Sequence, residues 1–411
     1  MILILYGELF FKLYSLNKYF LFEMDHNFLI VTCIFDVKKR LPTFFKRNVD
    51  KYITLFNYIL DLNLPVILFT EDHIIERIKK VDNLYIINKN LEDLKSYKLL
   101  SSINKNLKPP LNFNLDKYYC SVINSKVELM SEVSDLLSDQ KKLIDFKNAY
   151  NLQNLTHLVW LDAGISHVGT IIRDNFIEGI NFNSYKDKIT VTMMNATSES
   201  EINNLDTFLS YNREKIAAGL SIIPINMIEW YKTEIFNLFS SVIYDLDRMC
   251  LEEQLIPILI VKNNNKFNYI YSYYWVLPNL INITSDINVI INNLTYCRNN
   301  NMIDLAFNIL SKLLSSISKS KYKLSPIELL KILYDGQIIS YYKNTELSKK
   351  LGILIGYLYY YNDTGKNWIN EKFDNIKSNL SFVGINLEIK DNFSEGKILN
   401  EDIDGYLWSI I

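Results

Sequence analysis

Apolar runs of β type alternate with helix-period segments through the first half of the chain, and helix-period segments alone fill most of the second. Phe28 to Phe35 (FLIVTCIF) is a continuous apolar run that reads as a strand buried on both faces. Val49 to Leu62 follows with Ile53, Phe56, Ile59 and Leu60 on one helical face. Pro65 opens a second buried run, PVILFT; Asp72 to Val81 reads as a helix and Leu84 to Ile87 as a third strand. This β-α-β-α-β order with short links predicts a parallel sheet with right-handed crossovers. Ser96 to Leu115, broken by Pro109-Pro110, reads as a flexible insertion. Tyr118 to Leu137 is expected as one helix, Thr156 to Leu161 (THLVWL) as a fourth buried strand, and Lys188 to Met194 and Ala217 to Ile223 as two more.

Helices are expected over Asn226 to Tyr244 and Arg248 to Ile260. After Thr284 they are expected over Val289 to Tyr296, Asp304 to Ile317, Pro326 to Ile339 and Leu347 to Tyr360. Ser325-Pro326 supplies an N-cap and first-turn pair for the third of these. The expected fold class is therefore α/β, a Rossmann-type, mostly parallel sheet followed by a smaller helical domain. The expected boundaries are 1–25 for an N-terminal extension, 26–283 for the α/β domain and 284–411 for the helical domain.

Composition narrows the chemistry. The 411 residues carry 44 Lys plus Arg against 46 Asp plus Glu. A chain this near neutrality has no basic field for nucleic acid, so no nucleic-acid partner is expected. Only 12 glycines occur, none between Glu8 and Ala163. That excludes a glycine-rich dinucleotide fingerprint or a phosphate-binding P-loop in the first βαβ units. The four cysteines are far apart, lack zinc spacing and read as small buried hydrophobes of a reducing compartment. Met1 to Phe22 is apolar but interrupted by Glu8, Lys12 and Lys18. It is too short of uncharged residues to span a membrane, which leaves a weak surface association as the minor alternative. The expected location is cytoplasmic, the host cytoplasm if the source is viral.

Candidate chemistry gathers where open parallel sheets bind ligands, beyond the carboxyl ends of the strands. The sequence places Thr32, Cys33 and Asp36 after the first strand, Thr70, Glu71 and Asp72 after the second, and Asp162-Ala163-Gly164 after the fourth. Asp162 ends a buried strand; Gly164 lets the backbone turn close to a ligand, and Ser166 and His167 add a hydroxyl and an imidazole. A carboxylate there suits a divalent cation bridging two phosphates. The alternative is that Asp162 caps the next helix. Gly219, in Ala217-Ala218-Gly219, permits close approach of a sugar or of another backbone. Glu252-Glu253-Gln254 offers either a general base or an ordinary solvated face. The two D-x-D strings, at Asp245-Asp247 and Asp402-Asp404, follow no buried strand and read as helix-boundary or tail residues.

The order of FLIVTCIFDV at 28–37, Arg47 with Tyr52 and Phe56, PVILFTED at 65–72, Tyr118 with NSK at 124–126, VWLDAGISH at 159–167, REKIAAGL at 213–220 and EEQ at 252–254 resembles the HtrL/YibB (WlaTC-type) family of bacterial and viral proteins, regarded as glycosyltransferases. The resemblance spans about 28 to 275. It implies a GT-A-like fold with a nucleotide-sugar donor at the strand ends, and places Asp162 at the D-x-D position with Gly164 where the second Asp would stand, so that Mn²⁺ or Mg²⁺ is held by Asp162 with His167 or water, or no metal is needed. It implies Arg47 and Lys126 as cations for the diphosphate, and Glu253, rather than Glu252, as the acceptor-side carboxylate. The function expected is transfer of a sugar from a nucleotide-sugar donor to a glycan, lipid or protein acceptor, by a hexosyltransferase-like enzyme. The alternative is a catalytically inactive GT-A-like domain carrying a helical protein-interaction module. The donor base, the sugar and the oligomeric state stay open.

Overall fold

The computed structural model describes residues 27–40, 48–113, 115–139, 143–167, 187–272, 287–318, 324–361, 363–371, 373–381 and 383. The expected N-terminal extension, Arg47 and the Asp402-Asp404 string lie outside them. The chain divides into two compact units, Met1–Met193 with Glu199–Ile283, and Met194–Ser198 with Thr284–Ile411.

The first unit is an α/β layer structure around seven strands: β1 (Phe28–Ile34), β2 (Val66–Thr70), β3 (Leu84–Asn88), β4 (His157–Leu161), β5 (Ile189–Met193), β6 (Ile216–Pro224) and β7 (Phe267–Tyr271). Their order across the sheet is β3-β2-β1-β4-β6-β5-β7. β1, β2, β3 and β4 run parallel, as the buried apolar runs predicted. β6 departs from that expectation and lies antiparallel to both β4 and β5. β7, parallel to β5, closes the far edge and has no counterpart in the expected elements.

Two consequences bear on the site. The chain steps from β1 to β2 on one side of the sheet and later returns to β4 on the other side of β1. The carboxyl ends of β1 and β4 therefore flank a topological switch point, where an open α/β sheet leaves a crevice. β6 also bulges. Its pairing with β5 jumps from Val191↔Ser221 to Thr192↔Ala217, which leaves Ala218–Leu220 without β5 partners just opposite the end of β4. A bulge of this kind re-aims backbone groups.

The helix expected over 118–137 is two helices, Lys117–Ile123 and Lys126–Ser138, separated by Asn124-Ser125. Asp116 caps the first through the Tyr118 and Tyr119 amides. Asn124 then uses its own amide as a bolt, donating to the carbonyls of Cys120 and Cys250, both at 2.9 Å. The segment expected as a flexible insertion is tied down. Lys108 pairs through its backbone with Asp247 and Met249, Leu111 N–H donates to Ser210 O at 2.7 Å, and the side chain and backbone of Asn112 and Asn212 are cross-bonded. The helix expected from Arg248 starts at Glu252, because the preceding residues are spent on that strap.

The second unit is helical, with Ile287–Asn299, Ile303–Ser318, Pro326–Tyr341, Thr345–Tyr361 and two further short helices, Asp363–Asn370 and Phe373–Ser381. The Ser325 cap is formed as expected: its hydroxyl accepts from Glu328 N–H while Glu328 Oε2 accepts from Ser325 N–H at 2.8 Å. Asn293, buried in the first helix, accepts from Ala196 N–H and donates to Met194 O, which ties the short 194–198 segment to this unit. Among the described residues no helix is long and apolar enough to cross a membrane.

Candidate functional site

A cavity of about 890 Å³, counting its open mouth, lies at the switch point. One wall is the segment that leaves β1, Cys33 to Lys38; another is the end of β4, Trp160 to Gly164, with His167. Val49 and Tyr52 come from the helix Val49–Leu60, and Tyr119, Val122, Ile123 and Lys126 from the split helix pair. Asp162 is the first residue beyond β4, and its side chain is 30% exposed.

Lys126 is the hub beneath Asp162. Its side chain is 9% exposed, and three oxygens surround its ammonium: Ala218 O at 2.7 Å, Asp162 Oδ1 at 3.1 Å and Glu252 Oε2 at 3.2 Å. The ammonium donates a hydrogen bond to Ala218 O and holds Asp162 and Glu252 as ion-pair partners. The ammonium also lies 5.8 Å from the centroid of the Trp160 ring. Trp160 Nε1 donates to the same Asp162 oxygen at 2.7 Å. Asp162 N–H is held by Gly219 O just past the end of β4, which keeps the carboxylate on the same side as the Trp160 indole two residues before it. The bulge of β6 completes the frame. Its Ala218 carbonyl receives Lys126, its Gly219 carbonyl receives Asp162 N–H at 2.9 Å, and its Ala218 N–H points at Glu253 Oε1 at 3.5 Å. Gln254 accepts from Leu251 N–H and donates to the carbonyls of Leu209 and Tyr211, which fixes the start of the helix bearing both glutamates.

The electrostatics follow from burial. Burial alone would push the Lys126 ammonium down, but Asp162, Glu252 and Glu253 together outweigh it and hold the group charged well above the usual lysine range. Burial raises the Glu252 carboxyl to about 7, with Lys126 restraining the rise. Glu253 is raised too, again by burial first. Burial, then the neighbouring Asp162, keeps the Cys33 thiol protonated, which removes it as a nucleophile. Tyr119 is likewise held protonated by burial and by Tyr52 and Asp162.

Glu252 gives a pH prediction. Its folded pKa is raised, so its contribution to stability is present below the ordinary carboxyl range and is lost as the pH rises through about 7. Wild type is therefore expected to lose stability relative to Glu252→Gln between about pH 4.5 and 7. The loss is at most ~3 kcal/mol, at ~1.4 kcal/mol per tenfold change in proton affinity. Urea titrations of both proteins across that range check it; parallel curves would place Glu252 in solvent.

Of the residues expected at the site, Asp36, Lys126, Ala163, Gly164 and His167 line the cavity with Asp162. Asp162 does not act as a helix cap; its carboxylate is used by Trp160 and Lys126. Thr32 and Thr70 are corrections. Both are fully buried inside their strands, and Thr70 Oγ1 donates to Ile34 O, because β1 runs two residues beyond Thr32 and β2 includes Thr70. Gly219 takes part through its carbonyl, from behind Asp162, and does not line the cavity. Glu252 makes the ion pair with Lys126, and Glu253 meets the Ala218 amide. Tyr119 was not foreseen, and Trp160 was foreseen only as part of the fourth strand; for Trp160 the signal was its two-residue spacing from Asp162.

The donor set at Asp162 does not suit a divalent cation. Asp162 gives one oxygen to Lys126 and Trp160, Gly164 offers no side chain, and His167 Nδ1 is engaged with Gly164 O at 2.5 Å. A Cβ at position 164 would lie 2.9 Å from the Tyr52 ring, so no longer side chain fits there as the ring stands. Among the described residues no cluster of three or more His, Cys, Asp or Glu can hold a metal ion. These residues do not make a metal centre.

The model of a family described as bacterial protein of unknown function, HtrL_YibB, matches residues 26–245. The chain belongs to the HtrL/YibB family. The matched stretch of this HtrL/YibB protein holds Asp162, Lys126 and the β6 bulge, while Glu252 and Glu253 fall beyond it. No curated protein matches. Among solved structures, that of the galactosyltransferase LgtC in complex with donor and acceptor sugar analogues is similar at 10% identity and a TM-score of 0.31, over 59% of this chain and 73% of that one. A likeness of that degree carries no weight for function.

Proposed function

We propose that the α/β unit is a glycosyltransferase of GT-A-like fold that binds a nucleotide-sugar donor in the switch-point cavity. The observation that carries this reading is the position of Asp162: a part-exposed carboxylate, directly after a buried parallel strand, in a crevice between the ends of β1 and β4. Such crevices receive nucleotides in open α/β sheets. Tyr52 and Tyr119 supply ring surface in the same cavity, and Lys38 lines it with no ion pair among the described residues. In this reading Lys38 meets the diphosphate as a point charge, because the Lys126 charge is already matched by Asp162 and Glu252. Lys126 then acts as a positioning residue that fixes the Asp162 rotamer, with Glu252 and Glu253 keeping it charged. Asp162 presents its carboxylate to the sugar hydroxyls. No step of the reading passes through a metal.

A second reading, an inactive domain of the same fold with a helical interaction module, is favoured by the pairing of Asp162 with Lys126 and by Gly164. Thermal shift with UDP-, GDP- and CMP-sugars, each with Mn²⁺ and with a chelator, separates the two. A ligand at a hundredfold excess over its Kd stabilises the native state by about 2.7 kcal/mol. One nucleotide sugar is expected to raise the midpoint, and to be hydrolysed or transferred over hours. Binding without turnover favours the inactive domain; no shift with any of the three ends the donor-site reading.

A further inference from the structure

The helical unit contains a groove of its own. It opens among the helices Ile287–Asn299, Pro326–Tyr341, Asp363–Asn370 and Phe373–Ser381 and encloses about 1200 Å³, counting its mouth. A buried ion pair is built into its wall. Asp335, 4% exposed, meets Arg298 Nη1 at 2.5 Å and accepts from the Thr295 hydroxyl. The Arg298 guanidinium lies 5.2 Å from the centroid of the Tyr334 ring, and Tyr334 meets Trp368 edge to face at 6.2 Å. Tyr334 is fixed in turn, its hydroxyl accepting from Asn379 Nδ2 at 3.1 Å. Exposed Asn292, Asn375 and Lys331 stand at the rim.

Each part of this lining excludes a class of ligand. An apolar molecule would bury the ion pair and the amides without new partners, at a cost. A phosphate-type anion would find the Arg298 charge matched by Asp335, leaving Lys331 alone to hold it. Ring surfaces set beside exposed amides and a fixed ion pair suit a molecule with apolar C–H faces and adjacent hydroxyls that both donate and accept. We infer that this groove binds an oligosaccharide, with a sugar ring against Trp368 and Tyr334 and its hydroxyls on Asn292, Asn375 and the Arg298–Asp335 pair. The inference does not rest on the transferase reading; a chain that bound no nucleotide sugar would still be expected to hold a glycan here.

The test uses the full chain on an array of neutral and acidic glycans, followed by calorimetry with the best hexasaccharide and with inorganic phosphate. At least one glycan is expected to bind, and Asn375→Ala and Trp368→Ala are each expected to weaken it about tenfold or more. Asn375 is exposed, so that variant reads binding even if Trp368→Ala fails to fold. Binding of no glycan, binding that survives Asn375→Ala unchanged, or binding of phosphate alone each overturns the inference.

Discussion

Replacing Lys126 by methionine is expected to destabilise the α/β unit by about 3–5 kcal/mol at pH 8, the cost of removing one partner from a buried ion pair. The methylene stem is kept in shape, so the loss falls on the charge. Glu252, 6% exposed, is left with no cation, and Asp162 loses the ammonium at 3.1 Å. Glu252 escapes by taking a proton. With its carboxyl already near 7 in the presence of Lys126, the variant keeps it neutral further into the alkaline range. The deficit should therefore be smaller at pH 5 than at pH 8. Lys126→Met combined with Glu252→Gln should recover part of the loss, because Asp162 is part-exposed, while Glu253, its carboxyl raised by burial, still lacks its cation. Urea unfolding at both pH values checks this. A pH-independent cost below about 1 kcal/mol, of the size seen for surface pairs, would mean that the ammonium is solvated.

The second large effect is on turnover. Asp162→Asn is expected to lower sugar transfer by about 10²–10³-fold, comparable to losing one preorganised polar group in an active site. Stability should change little. The asparagine oxygen still accepts from Trp160 Nε1, and Lys126 keeps Glu252 and Ala218 as partners. Initial rates with the donor found by thermal shift, alongside a melting curve, give both quantities. Full activity of Asp162→Asn would remove Asp162 from the reaction.

Much of the first unit was readable in the chain because β1, β2 and β4 are buried on both faces and show as unbroken apolar runs. Strand direction leaves no such trace. β6 is as apolar as its neighbours, and nothing in IAAGLSIIP distinguishes an antiparallel strand from a parallel one. β7 escaped notice because FNYIY is short and only partly buried, among asparagines and lysines. Strand length misplaced Thr32 and Thr70, since an apolar run does not mark where pairing stops. The break at Asn124-Ser125 was hidden because the apolar period continues across it; what divides the helix is a side-chain bond to Cys250, 126 residues away. Asp162 was legible from local order alone. Lys126 was legible only through a family resemblance, since its partners Ala218, Asp162 and Glu252 lie far along the chain and meet it only in the fold.

The contact between Gly164 and Tyr52 also fixes an order of change. A Cβ at 164 would meet Tyr52 Cε1 at 2.9 Å and Cδ1 at 3.2 Å, and that ring is a wall of the cavity. A second carboxylate two residues after Asp162 therefore reaches the site only if that wall gives way, by a shift of the Tyr52 ring or by a smaller residue at 52. Either route changes the ring surface offered to a ligand, so the shape of the cavity and the charge at its mouth are not independent variables.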